Sequence, residues 1–274
     1  KNEKWFRTDS KLCVPQQSMR QPAPALVTEN VATRRRDRIN SDEEERFRLG
    51  YELKSGVRFS ERDGATGART AQIKTASGQL LATLTYGHAA TLWRMNLGWR
   101  RRKNKDQTGY VLDVERGYWS KSEAVQDDPD DPMSPRVERV VPYVEDTRNC
   151  ILVRPAMNLD LPQMASLEAA LKTAIQVAFQ LEDRELATEA LPNADDRRHI
   201  LLYESSEGGA GVLRRLVEQS DTLPEVARLA LQLAHFDPDT LIDKGRAEGA
   251  VEDCEAACYD CLLSYFNQRD HRFL

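Results

Sequence analysis

The stretch that decides the fold of this chain runs from Ile200 to Leu213 and reads ILLYESSEGGAGVL. Its first four residues are apolar or aromatic, which is typical of a buried strand. The glycine-rich segment 207–211 follows, and glycine tolerates the backbone angles of a tight turn. A helix is predicted from Val212 to about Gln219. The stretch therefore predicts a strand–turn–helix unit inside an α/β lobe.

The segments on both sides extend this lobe. Residues 140–144 and 150–153 have the composition of two strands. A long helix is predicted from Pro162 to about Glu189, because apolar residues recur there at helical spacing. A further helix is predicted from Pro224 to about Ala234. The lobe is thus expected to alternate strands with helices.

The first half of the chain has β character. Short segments at 56–59, 70–74, 80–86 and 110–113 are rich in strand-forming residues and are separated by glycine-containing turns. An acidic, proline-broken segment at 122–136 then interrupts the pattern. We therefore expect an α+β fold: a β-rich subdomain over 1–125, followed by an α/β subdomain over 137–274 that ends in a cysteine zinc knuckle.

Composition limits the possible functions. The chain has 274 residues, 40% of them hydrophobic and 30% charged, and a formal net charge of -5. This balance excludes a uniformly basic nucleic-acid coat but allows a local basic patch. No apolar run is long enough for a membrane span, and the first residues lack the pattern of a signal peptide. We expect a soluble, cytoplasmic protein without a membrane partner.

Because the chain starts at Lys1, we interpret it as a piece of a longer protein.

The cysteines indicate a metal site. The chain has five, and Cys254, Cys258 and Cys261 fall within eight residues. A C-x2-C pair directs two thiolates at one tetrahedral zinc, and the third cysteine can join them. A closed structural site needs a fourth ligand, for which His271 is the first candidate and Cys150 and Cys13 are alternatives. Buried cysteines without a metal would be the simpler interpretation.

The glycine segment could also hold an anion. Gly208, Gly209 and Gly211 lie directly before a predicted helix, whose first N–H groups are free to bind phosphate. No Lys-Ser/Thr pair follows, so the segment is not a Walker A loop. A turn selected for packing explains the glycines equally well.

Two basic runs are candidate nucleic-acid contacts, and the second follows Trp93 and Trp99. Arginine clusters beside aromatic residues suit phosphate contact combined with base stacking. A solvated surface is the alternative interpretation. The candidate contacts are Arg34, Arg35, Arg36, Arg100, Arg101, Arg102 and Lys103.

No complete enzyme is evident from the motifs. The sequence has no Walker A loop and no Asp-Glu-x-His/Asp box, so it contains no complete ATPase motor. A metal-dependent nuclease using Glu204 and Glu207 is one alternative function. A protein-binding scaffold, compatible with the acidic net charge, is another.

Several passages together resemble a known family. They are residues 38–46, 50–52, 92–101, 201–213 and 258–271, the last reading CYDCLLSYFNQRDH. With these passages the chain is similar to the uncharacterised C-terminal domain of large DEAD/DEAH-type superfamily-two helicases. That domain is related to the zinc-binding C-terminal domain of mitomycin-repair helicases and also occurs in DISARM and Druantia phage-defence systems.

This resemblance implies an accessory module that follows two motor domains, binds zinc through cysteines and helps to hold DNA. Relatives often carry four clustered cysteines, whereas this chain has three. The expected partners are DNA, helicase motor domains in cis or in trans, and other defence or repair subunits. The expected cofactor is structural zinc, and no catalytic residue is assigned.

Overall fold

The structure, a computed structural model, describes most of the chain. The described residues are 6–8, 11–15, 50–62, 65–113, 115, 119, 137–205 and 209–274. The strands among them are β1 (Phe6–Thr8), β2 (Lys11–Pro15), β3 (Tyr51–Arg58), β4 (Glu61–Arg62), β5 (Ala65–Thr66), β6 (Arg69–Lys74), β7 (Leu80–Trp99), β8 (Tyr110–Asp113), β9 (Val137–Pro155), β10 (Leu186–Asn193) and β11 (Asp196–Glu204). The helices are α1 (Leu161–Phe179), α2 (Val212–Glu218), α3 (Thr222–Leu233) and a 3-10 turn (Tyr265–Asn267).

The expected α+β class is confirmed, but the chain does not divide at one point. It forms two compact units, one from residues 1–55 and 93–146 and the other from 56–92 and 147–274. Strands β3, β7 and β9 each contain a boundary between the units, so the units are discontinuous in sequence. This differs from the linear division expected at 122–136, a segment outside the described residues.

The second unit has a sheet with a different core on each face. Strand β11 pairs antiparallel with β10 and with the later part of β9, where Ile200 lies opposite Val153. Side chains alternate between the faces of a strand. Accordingly, Ile200 and Leu202 join a core with the helices, whereas Leu201 packs with Cys150 in a separate cluster.

Helix α1 is shorter than the sequence predicts. It begins with a capping box between Asp160 and Gln163 and ends at Phe179, where Gln180 adopts a left-handed conformation. The sequence predicts that the helix continues to about Glu189, and residues 181–189 contain no residue that would stop a helix. Instead Leu186–Asn193 pairs with β11 along its length, and this strand pairing overrides local propensity.

The first unit contains the end of β7, β8 and the start of β9. Strand β8 pairs antiparallel with β9, with Tyr110 opposite Val140, and β2 pairs with β9 in parallel. Val141 and Tyr143 pack against side chains from the end of β7. The loop between β7 and β8 is closed at its base by a bond from the Gly109 N–H to the Leu97 carbonyl, 2.7 Å.

None of the helices in the described part of the chain combines the length and the apolar character that crossing a bilayer requires.

Candidate metal centre and basic loop

Four side chains of the second unit converge near its C-terminal end. The donor atoms of His235, Cys254, Cys258 and Cys261 all lie within 4.8 Å of one another. The Sγ atoms of Cys254 and Cys261 are 3.9 Å apart, and His235 Nε2 is 3.2 Å from Cys258 Sγ. Zinc–sulfur bonds of about 2.3 Å in a tetrahedron imply sulfur–sulfur distances of roughly 3.8 Å. The donors present therefore fit a zinc ion.

Local backbone bonds hold the cysteines in place. The Cys261 N–H donates to the Cys258 carbonyl at 3.1 Å, which closes the tight turn between the two. The Cys258 N–H donates to Cys261 Sγ at 3.0 Å, a contact that favours a thiolate. The Cys254 N–H donates to the carbonyl of Gly245, which ties the knuckle to the loop that precedes it.

His235 comes from the end of helix α3. Its φ of 67° turns the chain out of the helix, and its carbonyl accepts a bond from the Lys244 N–H at 2.8 Å. The residue is only 5% exposed. A buried histidine facing three thiols is suited to metal binding, because the neutral imidazole supplies one lone pair.

Burial and mutual repulsion oppose ionisation of all three thiols in the absence of a cation. Burial, reinforced by the neighbouring sulfurs, raises the pKa of Cys254 to about 12, and burial also raises the pKa of Cys261. Burial acts in the same direction on Cys258, but hydrogen bonds, from His235 above all, outweigh it and lower the pKa to about 7. Three adjacent thiolates repel one another, and a divalent cation removes that repulsion.

His271 does not join the cluster. Its Nε2 lies 3.0 Å from both the Ser264 carbonyl and Asn267 Oδ1, so it acts as a donor within the last turn of the chain. The histidine that lies beside the three cysteines is His235, whereas the expected fourth ligand was His271. The alternative Cys150 is fully buried in the sheet core, and burial raises its pKa to about 12. The side chain of Cys13 lies outside the described part.

In the sequence, His235 is only a weak candidate for a metal ligand. The chain has four histidines, and two of them, His88 and His199, fall in strands. His271 is the expected candidate because it follows the cysteines closely, whereas 18 residues lie between His235 and Cys254.

The glycine turn lies against a carboxylate of the chain itself. Gly209 and Gly211 have φ of 67° and 73°, as expected for a tight turn. Gly208 lies outside the described residues. Glu204, 1% exposed, accepts the Leu213 N–H through Oε1 and the Asn149 side-chain amide through Oε2, both at 3.1 Å. The Leu213 N–H, at the start of helix α2, therefore already donates to a carboxylate of the protein. This carboxylate takes the place where the sequence predicts an external anion.

This arrangement also bears on the nuclease alternative. Each oxygen of Glu204 accepts a hydrogen bond from the fold, and the side chain is enclosed. A carboxylate held in this way stabilises the turn and does not face solvent, where a nucleic-acid substrate would be. Glu207, the other carboxylate of that hypothesis, lies outside the described residues.

The first unit contains the basic loop, which we define as residues 100–108 between β7 and β8. Arg101, Lys103 and Lys105 are exposed, and Arg100 is half-buried. Arg102 is different: it is 6% exposed, and its guanidinium donates to Glu52 at 2.6 Å and to the Lys105 carbonyl at 2.8 Å. The buried Arg102 side chain thus stabilises the loop through these hydrogen bonds. It is not exposed as the expected phosphate contact would be. Arg34, Arg35 and Arg36 lie outside the described residues.

The geometry of the second unit defines a His/Cys3 zinc-knuckle domain. Residues 167–262 match the family model described as "MrfA Zn-binding domain". The predicted recognition of a zinc-binding domain is confirmed for this segment, and zinc, the expected cofactor, is confirmed by the family match and the donor cluster together.

One solved structure is similar over a wider range. Its title is "Crystal Structure of DUF1998 helicase MrfA bound to DNA", and the similarity has a TM-score of 0.41 and 12% sequence identity. It covers 79% of this chain and 23% of the helicase chain, so this chain spans less than a quarter of that protein. A search of curated proteins found no match.

Proposed function

We propose that this chain is a non-catalytic accessory module of a helicase-type DNA-processing protein, in repair or in phage defence, and that it acts in the cytoplasm. Zinc stabilises its second unit, and the basic loop of its first unit contacts DNA. Helicase motor domains, in cis or in trans, supply the ATP-dependent activity. The observation that carries the proposal is the His/Cys3 cluster, all four of whose residues lie in the segment matched by the MrfA zinc-binding family model.

The proposed zinc ligands are His235, Cys254, Cys258 and Cys261. Four protein donors close a tetrahedral site and leave no position for a water or substrate, which is the pattern of structural rather than catalytic zinc. His235 and Cys261 are buried, in keeping with a site that stabilises the fold. Zinc joins the end of helix α3 to the knuckle, and such coupling can contribute on the order of 10 kcal/mol to folding.

The distribution of charge supports DNA contact at the basic loop and not at the knuckle. Residues 100–105 include five basic side chains and no carboxylate. In contrast, residues 236–262 include eight carboxylates and two basic side chains. Phosphates are attracted to the first segment and repelled by the second.

Metal content tests the ligand set. The full chain, His235→Ala and His271→Ala would be purified in parallel, and zinc would be measured by elemental analysis after dialysis against a mild chelator. We expect about one zinc per chain in the parent and in His271→Ala, and clear loss in His235→Ala. The reverse pattern would contradict the proposed ligands, and a metal-free but folded parent would contradict the zinc-stabilised module.

Salt-dependent binding tests the DNA contact. Replacing both Arg101 and Lys103 by Gln should weaken binding and lower the slope of log K against log salt concentration by about 1.4–1.8, since each phosphate contact contributes roughly 0.7–0.9. Arg198→Gln is the matched control, because Arg198 is an exposed arginine of the other unit. Equal slopes for all three proteins would remove the basic loop from the DNA contact.

A further inference from the structure

We propose that Trp99 is a stacking platform for an unpaired DNA base, so that the basic loop binds single-stranded DNA in preference to duplex. This inference rests on the proposed DNA contact and names the form of DNA that the contact prefers. Arg101 and Lys103 would bind neighbouring phosphates while the indole binds the base.

The first observation is the exposure of Trp99. The residue is 41% exposed, which is high for the largest aromatic side chain. The other tryptophans in the described part serve the fold: Trp93 donates to Glu145 at 2.9 Å, and Trp119 is buried edge-on against Tyr110. Packing of the protein itself therefore accounts for Trp93 and Trp119 but leaves much of Trp99 uncovered.

The second observation is that the indole is supported. The ring of Tyr51 lies 4.6 Å from the ring of Trp99, with 38° between the planes, and Tyr51 is itself buried. The Arg100 N–H, directly after Trp99, donates to the Gly50 carbonyl at 2.9 Å. A side chain restrained in this way loses little conformational entropy when a base stacks on it.

The third observation is that the adjoining loop is already ordered. The Arg102 guanidinium donates to the Trp99 carbonyl at 3.1 Å as well as to Glu52 and the Lys105 carbonyl, so it links both sides of the loop. Gly98, with φ of 114°, approaches the Gly109 carbonyl at the base, where a methyl group would be 3.3 Å from the oxygen. The exposed cations thus stand on a preformed loop beside the aromatic ring.

This combination selects single strands. In a duplex the base faces are covered by neighbouring bases, and exposing one costs a few kcal/mol of unstacking. In a single strand the faces are accessible, and stacking on an aromatic side chain strengthens binding about 5- to 150-fold per base. Phosphate contact alone would bind both forms without that gain.

The experiment compares three probes with the zinc-loaded full chain by fluorescence anisotropy. They are a thymine single strand of about 15 nucleotides, a strand of the same length in which every base is missing, and a duplex of that length. We expect the wild type to bind the strand with bases about tenfold more tightly than the abasic strand. Trp99→Ala and Trp99→Leu should bring that ratio close to one, whereas Trp99→Phe should retain most of it.

A charge variant separates stacking from phosphate contact. Replacing both Arg101 and Lys103 by Gln should weaken binding of the base-containing and abasic strands by the same factor and leave their ratio unchanged. The Leu variant guards against misfolding of the Ala variant, and unfolding midpoints in urea identify any variant that has lost its fold.

The outcomes distinguish the inference from the function on which it rests. Salt-dependent binding with the same base-to-abasic ratio in wild type, Trp99→Ala and Trp99→Leu would overturn the stacking platform while leaving the phosphate contact in place. Absence of salt-dependent binding to any probe by the wild type would overturn both. Tighter binding of the duplex than of the thymine strand would also overturn the preference for single strands.

Discussion

Substitution of Gly209 by alanine tests the internal anion site at the glycine turn. Gly209 has a φ of 67°, and a methyl group there would overlap the carboxylate of Glu204 and lie 2.6 Å from the side-chain nitrogen of Asn149. The carboxylate must therefore move away from one or both of its donors. Glycine is therefore required at position 209 both by the positive φ and by the space that the Glu204 carboxylate occupies.

The magnitude follows from two contributions. An alanine in the left-handed region costs about 1–2 kcal/mol relative to glycine. Loss of one hydrogen bond to a buried carboxylate adds roughly 1.5–3 kcal/mol. We expect Gly209→Ala to lower the free energy of unfolding by about 2.5–5 kcal/mol.

Gly211→Ala is the matched control. Gly211 has a similar φ of 73°, but a methyl group there would meet nothing within 4 Å. This control should lose only the conformational contribution of about 1–2 kcal/mol. Urea unfolding of both zinc-loaded variants, followed by circular dichroism, gives the comparison. Equal losses would refute the claim that Gly209 is required by the buried Glu204 carboxylate.

Two further predictions concern buried arginines. Arg102→Gln should lower the free energy of unfolding by about 2–3 kcal/mol and open the basic loop, since hydrogen bonds from a buried guanidinium are lost. Trypsin should then cleave the loop of this variant faster than that of Arg101→Gln. Equal cleavage rates for the two variants would contradict the role of Arg102. Asp270→Ala should lower the free energy of unfolding by roughly 1.5–3 kcal/mol, because among the described residues the buried Arg197 side chain then keeps only Glu168, at 3.0 Å, as an ionic partner. The exposed pair of Arg228 and Asp239 provides the control, and Asp239→Ala should cost less than about 1 kcal/mol in the same urea titration.

Patterns that depend on nearby residues were predictable from the sequence. The buried strand before the glycine turn and the helix after it follow from local composition, and the observed β11 and α2 agree with them. The three clustered cysteines follow from their spacing. Strand pairing was harder, since residues 181–189 favour helix by composition and become a strand partly because β11 lies beside them.

Features that depend on distant residues could not be read from the sequence. The role of Arg102 is decided by Glu52, which lies fifty positions earlier, so a run of basic residues alone looks like an exposed patch. His235 reaches the cysteines only because residues 236–253 fold back on themselves, and no spacing rule describes that path. The internal partner of the glycine turn depends on Asn149, from another strand.

Because His235 comes from the end of helix α3, zinc binding depends on the native fold of the segment between that helix and the cysteines. A cluster built only from the cysteines could capture zinc in a short peptide, but this one is complete only when the segment from His235 to Cys261 follows its folded path. Occupancy should therefore fall in parallel with damage to that segment, even when the damage leaves all four ligands intact. The zinc content of each purified variant would then report its folded fraction.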